Sequence, residues 1–164
     1  MQEYLSDAVV LDAQPDGDLD SRISIFTRHF GKLRGKAKSI RKITSKLAGH
    51  LQAGNVVQVR LVEKNGLQIV DALKRLSTRI SPSNLYFLDR LLPEGEPDEK
   101  LWHSLTERPF EWKTALQLLG WDPAHAQCAA CGETNPRRFA VESQEFFCKQ
   151  CASKLSHDAV IYIE

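Results

Sequence analysis

Apolar and polar residues alternate with a period of two through much of the first 80 positions. Val9, Val10 and Leu11 open a first strand, which the turn residues Pro15-Asp16-Gly17-Asp18 close. Ser21–Arg28 sets Ile23 and Ile25 on one face and Arg22, Ser24, Phe26 and Arg28 on the other. Leu33–Lys38 likewise sets Leu33, Gly35 and Ala37 against Arg34, Lys36 and Lys38. Both patterns predict half-buried strands with a wet, basic second face. Ile40–Leu51 reads as a basic loop containing a short helix. Val57, Val59 and Leu61 alternate again, and Asn65-Gly66 joins this strand to Leu67–Leu73 through a strong hairpin signal. Five short strands in this span predict an OB-type barrel over residues 1–79, and periodicity alone leaves an SH3-like barrel as an alternative.

Beyond Arg79 the period becomes helical. Ser81-Pro82 caps a helix running to about Leu92, and Pro93-Glu94-Gly95-Glu96-Pro97 ends it. A second helix from Asp98 presents Leu101, Trp102 and Leu105, and a third runs from near Pro109 to Gly120. Residues 80–127 thus form a short helical segment. The last portion, 128–164, predicts a β-hairpin over Arg138–Glu142 and Glu145–Cys148, held by cysteines. The fold class expected is α+β.

Charge is arranged more tellingly than the net +1 suggests. Residues 1–20 carry six acids and no Lys or Arg, whereas residues 21–62 carry ten Lys or Arg and no acid. A stretch without carboxylates makes a positive field suited to a polyanion. Its densest part holds Arg28, Lys32, Arg34, Lys36, Lys38, Arg41, Lys42 and Lys46. A charge run is ordinarily a solvated face. Here Arg34, Lys36 and Lys38 gather on one strand face, and Phe26 and Phe30 lie nearby. Backbone-tracking charge beside a stacking aromatic is what single-stranded nucleic acid requires, so these eight residues are the expected contacts. Core is the alternative for either phenylalanine, and for Phe30 it weighs as much as contact.

The four cysteines form two Cys-x-x-Cys pairs, Cys128/Cys131 and Cys148/Cys151. That spacing fits one tetrahedral zinc, and four thiolates leave no coordination position for water, so the metal would be structural. Unligated or redox-active thiols are the alternative. His125 precedes the set and is not needed as a ligand. Neither a secretion signal nor an apolar span of membrane length occurs, which predicts a cytoplasmic location without membrane attachment. No His-Glu-x-x-His, phosphate loop or Ser/His/Asp order is present, and the five histidines are scattered, so no enzymatic activity is expected.

Two stretches resemble the RecO family of bacterial DNA repair proteins. One is Phe26-Thr27-Arg28-His29-Phe30-Gly31-Lys32-Leu33-Arg34-Gly35-Lys36-Ala37-Lys38-Ser39-Ile40-Arg41, followed by Ser45-Lys46-Leu47-Ala48-Gly49-His50-Leu51. The other is Ala115-Leu116-Gln117-Leu118-Leu119-Gly120-Trp121-Asp122-Pro123 with the first cysteine pair after it. The resemblance implies an OB-fold, a helical domain with an inserted zinc finger, and binding of single- and double-stranded DNA. It also implies annealing of complementary strands and partnership with RecR in loading RecA. Family members are commonly longer, with more helix around the finger. The shortened helical lobe here, net −4 over residues 80–127, predicts weak or absent binding to the acidic tail of single-stranded-DNA-binding protein. A zinc-ribbon accessory factor of translation or transcription is the competing reading.

Overall fold

The computed structural model describes residues 1–164. The chain divides into two compact units, Met1–Glu107 and Arg108–Glu164. In the first, β1 (Gln2–Asp16), β2 (Asp20–Thr27), β3 (Gly31–Ala37), β4 (Asn55–Glu63) and β5 (Leu67–Ser77) are followed by α1 (Pro82–Leu91) and α2 (Glu99–Thr106). The strands pair in the order β1-β2-β3-β5-β4, and β4 returns to β1, closing the sheet as a barrel. β3 meets β5 in parallel through Lys36 and Gln68, while the other pairings are antiparallel.

β1 begins well before the predicted start at Val9, because it serves two neighbours. Gln2–Val9 pairs with β4 and Ala8–Asp16 with β2, and an irregularity between Val10 and Asp12 bends the strand from one to the other. The acidic positions Glu3 and Asp7 mask this stretch in the sequence. Asn65 (φ 52°) and Gly66 (φ 101°) supply the two left-handed positions of the β4–β5 turn.

Inside the barrel, Ala8, Val10, Ile23, Ile25, Val57, Val59, Leu61 and Ile69 form the core. Leu51 plugs it from the β3–β4 connection, and Leu47 packs against it. This connection contains turns and no helix, contrary to the expectation for Ile40–Leu51. Its one α-type bond, Leu51 N–H to Leu47 C=O at 2.9 Å, is not propagated into a second turn, the other local ones being three-residue turn bonds, and an isolated turn is unfavourable.

A second apolar layer lies outside the barrel. Val9, Leu11 and Phe26 point away from the interior, yet all are buried. α1 and α2 lie over this face, with the Phe26 and Trp102 rings 6.3 Å apart. Ser81 caps α1 by accepting from Asn84 N–H, and Asp98 caps α2 by accepting from Leu101 N–H at 3.0 Å. Between the helices, residues 93–97 run against the start of β3. Gly31 (φ 73°) permits this approach, since a Cβ there would lie 2.4 Å from the Glu96 backbone. The sequence places organisational breaks after residues 79 and 127, whereas the units part at 107/108, because both helices cover apolar barrel residues.

The second unit contains α3 (Trp112–Leu118), β6 (Arg138–Ala140), β7 (Glu145–Phe147), α4 (Lys149–Ala152) and β8 (Val160–Tyr162). The sheet order is β7-β6-β8, so the expected hairpin gains a third strand. Phe139 is fully buried at its centre, 4.9 Å from the Phe146 ring and 5.3 Å from the Trp121 ring. No helix in either unit is long and apolar enough to cross a membrane.

Candidate metal centre and nucleic-acid interface

The four cysteine sulfurs lie within 4.8 Å of one another. Cys128 and Cys131 sit on a tight turn: Cys128 N–H bonds to Glu133 C=O and Gly132 N–H to Cys128 C=O, each at 2.9 Å. Ala129 N–H ties that turn to Phe146 C=O on β7 at 2.8 Å. Cys148 ends the same hairpin and caps α4, accepting from Cys151 N–H at 3.4 Å. The chain thus brings both pairs to one point, and all four thiols are free of disulfides.

The donor set fits a metal. A tetrahedral ion with metal–sulfur bonds of about 2.3 Å separates its sulfurs by roughly 3.8 Å, and Cys131 Sγ and Cys148 Sγ are 3.8 Å apart. Burial pushes the Cys128 thiol up, but hydrogen bonds from the backbone of Cys148, Cys131 and Ala130 bring it down to about 6. Sharing a proton with Cys148 and Cys128 holds Cys151 up at about 12. One sulfur is therefore readily ionised while its neighbours resist accumulating negative charge, a conflict that a central cation resolves. His125 does not belong to the cluster; its side chain is solvent-exposed, 3.8 Å from Asp122.

The basic residues are less uniform than their sequence suggests. Register places Arg22 opposite Lys36, Ser24 opposite Arg34 and Phe26 opposite Lys32 on the outer face of β2 and β3. One end of this face is roofed by the helices, and the other is open.

Phe26, expected on a wet face, is 1% exposed and packs towards Trp102. It is core and not a stacking surface. Ser24 is buried too, its hydroxyl donating to the Asp89 carboxylate. Lys32, expected to contact a polyanion, is 4% exposed. Its ammonium donates to Asp89 C=O at 2.6 Å and lies 4.0 Å from the Asp89 carboxylate. Burial pushes its pKa down, and Asp89 opposes that shift. Such an ammonium is unavailable to an external phosphate. Arg28 is engaged as well, with its guanidinium bound to both carboxylate oxygens of Glu99.

At the open end, Arg34 is exposed and lies 3.5 Å from Glu94. Lys36 lies 3.4 Å from Asp20 and 3.7 Å from Asp16. Lys38, Arg41, Lys42 and Lys46 are exposed on the β3–β4 connection. Arg41 ties this connection to the β1–β2 turn, donating to Gly17 C=O at 3.0 Å. Arg22, absent from the sequence-derived set, joins Lys36 directly across the sheet. The available signal was its place in the β2 alternation, on the same face as Arg28, ahead of the dense run that begins there. Phe30 is half-buried, with its ring edge-on to Tyr4 at 5.2 Å.

Residues 1–79 match the family described as Recombination protein O N terminal. The chain is 26% identical to the DNA repair protein RecO of Thermodesulfovibrio yellowstonii, covering 95% of this chain and 73% of that protein. It is 28% identical to the DNA repair protein RecO of Pelotomaculum thermopropionicum, covering 80% and 60% respectively. For the RecO of Syntrophobacter fumaroxidans the identity is 24%, covering 82% and 64%. The chain thus spans between 60% and 73% of the length of these relatives. Residues 1–79 thus match the N-terminal domain of Recombination protein O, and the relatives aligned across both units are RecO proteins.

Proposed function

We propose that this chain is a recombination mediator in DNA repair. On this reading it binds single- and double-stranded DNA, anneals complementary strands, and acts with a RecR-like partner to load RecA. The observation that carries the proposal is the open end of the β2–β3 face. Arg22, Arg34 and Lys36 are outward there, Lys38, Arg41, Lys42 and Lys46 continue the charge, and residues 21–62 contain no acid. A row of cations along a strand can follow a phosphate backbone without reading sequence. The names of the relatives are consistent with this chemistry.

The closed sheet with its bent, doubly paired β1 is read as an OB-type nucleic-acid-binding domain of residues 1–79. Residues 80–127 form a helical segment, two of whose helices brace the barrel, and residues 128–164 a zinc-finger module. Cys128, Cys131, Cys148 and Cys151 would hold one structural zinc, which would supply tertiary cross-linking to a small unit and no reaction chemistry. The protein acts by binding, in the cytoplasm and without catalysis. Its interaction with the tail of single-stranded-DNA-binding protein is weak or absent.

Strand annealing tests the proposal. Complementary oligonucleotides should anneal faster with the protein than without it, and the cognate RecR should co-purify with it. Zinc-dependent folding with neither annealing nor RecR capture would overturn the mediator reading in favour of an accessory nucleic-acid-binding factor.

A further inference from the structure

Arg138 and Tyr162 are cross-strand neighbours on β6 and β8. The Arg138 guanidinium lies over the Tyr162 ring, 4.3 Å from its centre. On the same side, His157 Nδ1 and the Tyr162 hydroxyl are 2.6 Å apart. Together with Lys149 of α4, these side chains border a cleft of about 170 Å³ whose apolar lining includes Val160 and Leu155. Residues 128–164 carry more acids than bases, yet no acid lines this cleft. Neither Arg138 nor Lys149 has a carboxylate partner: the only ion pair in residues 108–164 is His125 with Asp122.

We infer that this cleft is a second nucleic-acid contact, taking a phosphate on Arg138 and Lys149 and the adjoining base against Tyr162. The inference rests on the proposed DNA-binding function and adds a site in the other unit. Its chemistry differs from that of the barrel face. The barrel cations Arg34 and Lys36 already face carboxylates, whereas neither cleft cation does; Arg138 donates only to the Arg137 C=O, at 2.9 Å. Tyr162, which is 44% exposed as a residue, lies among these cleft residues. Bases stack on tyrosine rings and on guanidinium planes alike, and an apolar lining suits a sugar or base edge. The Tyr162 ring already lies beneath the Arg138 guanidinium and near-parallel to the His157 ring at 6.4 Å, so a base would extend an existing stack, which an acidic peptide would not.

The test uses the full zinc-loaded chain and a fluorescein-labelled oligothymidylate, with affinity followed against salt. Arg138→Gln with Lys149→Gln should shorten the slope of log affinity against log salt by about 1.4, at about 0.7 per phosphate. Lys113→Gln with Arg137→Gln removes the same charge from the same unit outside the cleft and should leave the slope near the wild-type value. Tyr162→Leu should weaken binding by about tenfold with the slope preserved. Zinc content and Trp121 fluorescence report folding. Should the Arg138 variant lose zinc, Lys149→Gln alone carries the test, with a slope shortened by about 0.7. An unchanged slope in the cleft variant, or equal shortening by the control pair, overturns the inference. So does Tyr162→Leu binding as tightly as wild type. Wild-type protein that binds no oligonucleotide removes the proposed function as well. Binding that responds only to substitutions on the barrel removes the cleft alone.

Discussion

The ammonium of Lys32 donates a 2.6 Å hydrogen bond to the main-chain carbonyl of Asp89, a residue 57 positions further along the chain. Asp89 in turn accepts from the Ser24 hydroxyl, so one acidic residue of α1 fastens both β2 and β3 to the helix. Lys32 therefore contributes to the fold and does not face solvent. Replacing Lys32 by Met leaves a shielded carboxylate without its cation, which should cost about 3 kcal/mol of stability. Urea unfolding measures that loss. The salt slope of DNA binding should stay at the wild-type value, and a shortened slope would restore Lys32 to the interface.

The outward cations of the strand face, Arg22, Arg34 and Lys36, each lie beside a local acid, with Asp16 3.5 Å from Arg22. Glu94 lies 3.5 Å from Arg34, so a phosphate arriving there displaces a carboxylate before it gains the guanidinium. Glu94→Gln should tighten binding to single-stranded DNA and steepen the salt slope by up to about 0.7. Replacing Arg34, Lys36 and Lys38 together by Gln should shorten the slope by no more than about 2, with similar losses for unrelated sequences. Anisotropy titrations over a range of salt decide both. Weaker binding by Glu94→Gln would place the DNA path away from β3.

Zinc should be present at one equivalent per chain in reduced protein, and elemental analysis checks this. Chelation should unfold residues 108–164 while residues 1–107 keep their structure, because the barrel core draws no side chain from the second unit. Cys148→Ser should reduce solubility more than it reduces affinity for DNA. Freshly purified protein with no bound zinc would end the metal assignment.

The Arg28–Glu99 pair links the β2–β3 turn to α2. Its hydrogen bond with Arg28 holds the Glu99 carboxyl below its ordinary value, against the opposing effect of burial. A carboxylate whose pKa is depressed on folding adds stability above the unfolded pKa, about 4.3. That stability disappears as the pH falls through the lower folded value. Glu99→Gln should thus be less stable than wild type at about pH 6, and the gap should close below about pH 4. Unfolding midpoints across this range measure it; a gap that persists in acid would show that the bond matters through packing and not through charge.

Local pattern sufficed where one element faces solvent on one side and the barrel interior on the other. β3 is such a strand: Gly35 and Ala37 are buried while Arg34 is exposed. The cysteine quartet was equally legible, since two short spacings fix two turns. What failed depended on distant chain. Phe26 and Lys32 were assigned to solvent because their cover, α1 and α2, comes more than fifty residues later. The Val160–Tyr162 strand is only three residues long, too short for alternation to register, and it exists because β6 offers it an edge. Arg22 falls outside the set because the dense basic run is counted from Arg28, six residues further on.

The seam between units at 107/108 has a bearing on how this chain and its relatives could exchange parts. A hybrid joined after residue 107 would keep Val9, Leu11 and Phe26 beneath the helices that evolved with them. One joined after residue 79, where the N-terminal family match stops, would put a stranger's helices on that surface and ask Gly31 to accommodate an unfamiliar loop. Recombination between relatives should therefore be tolerated at the later seam and selected against at the earlier one.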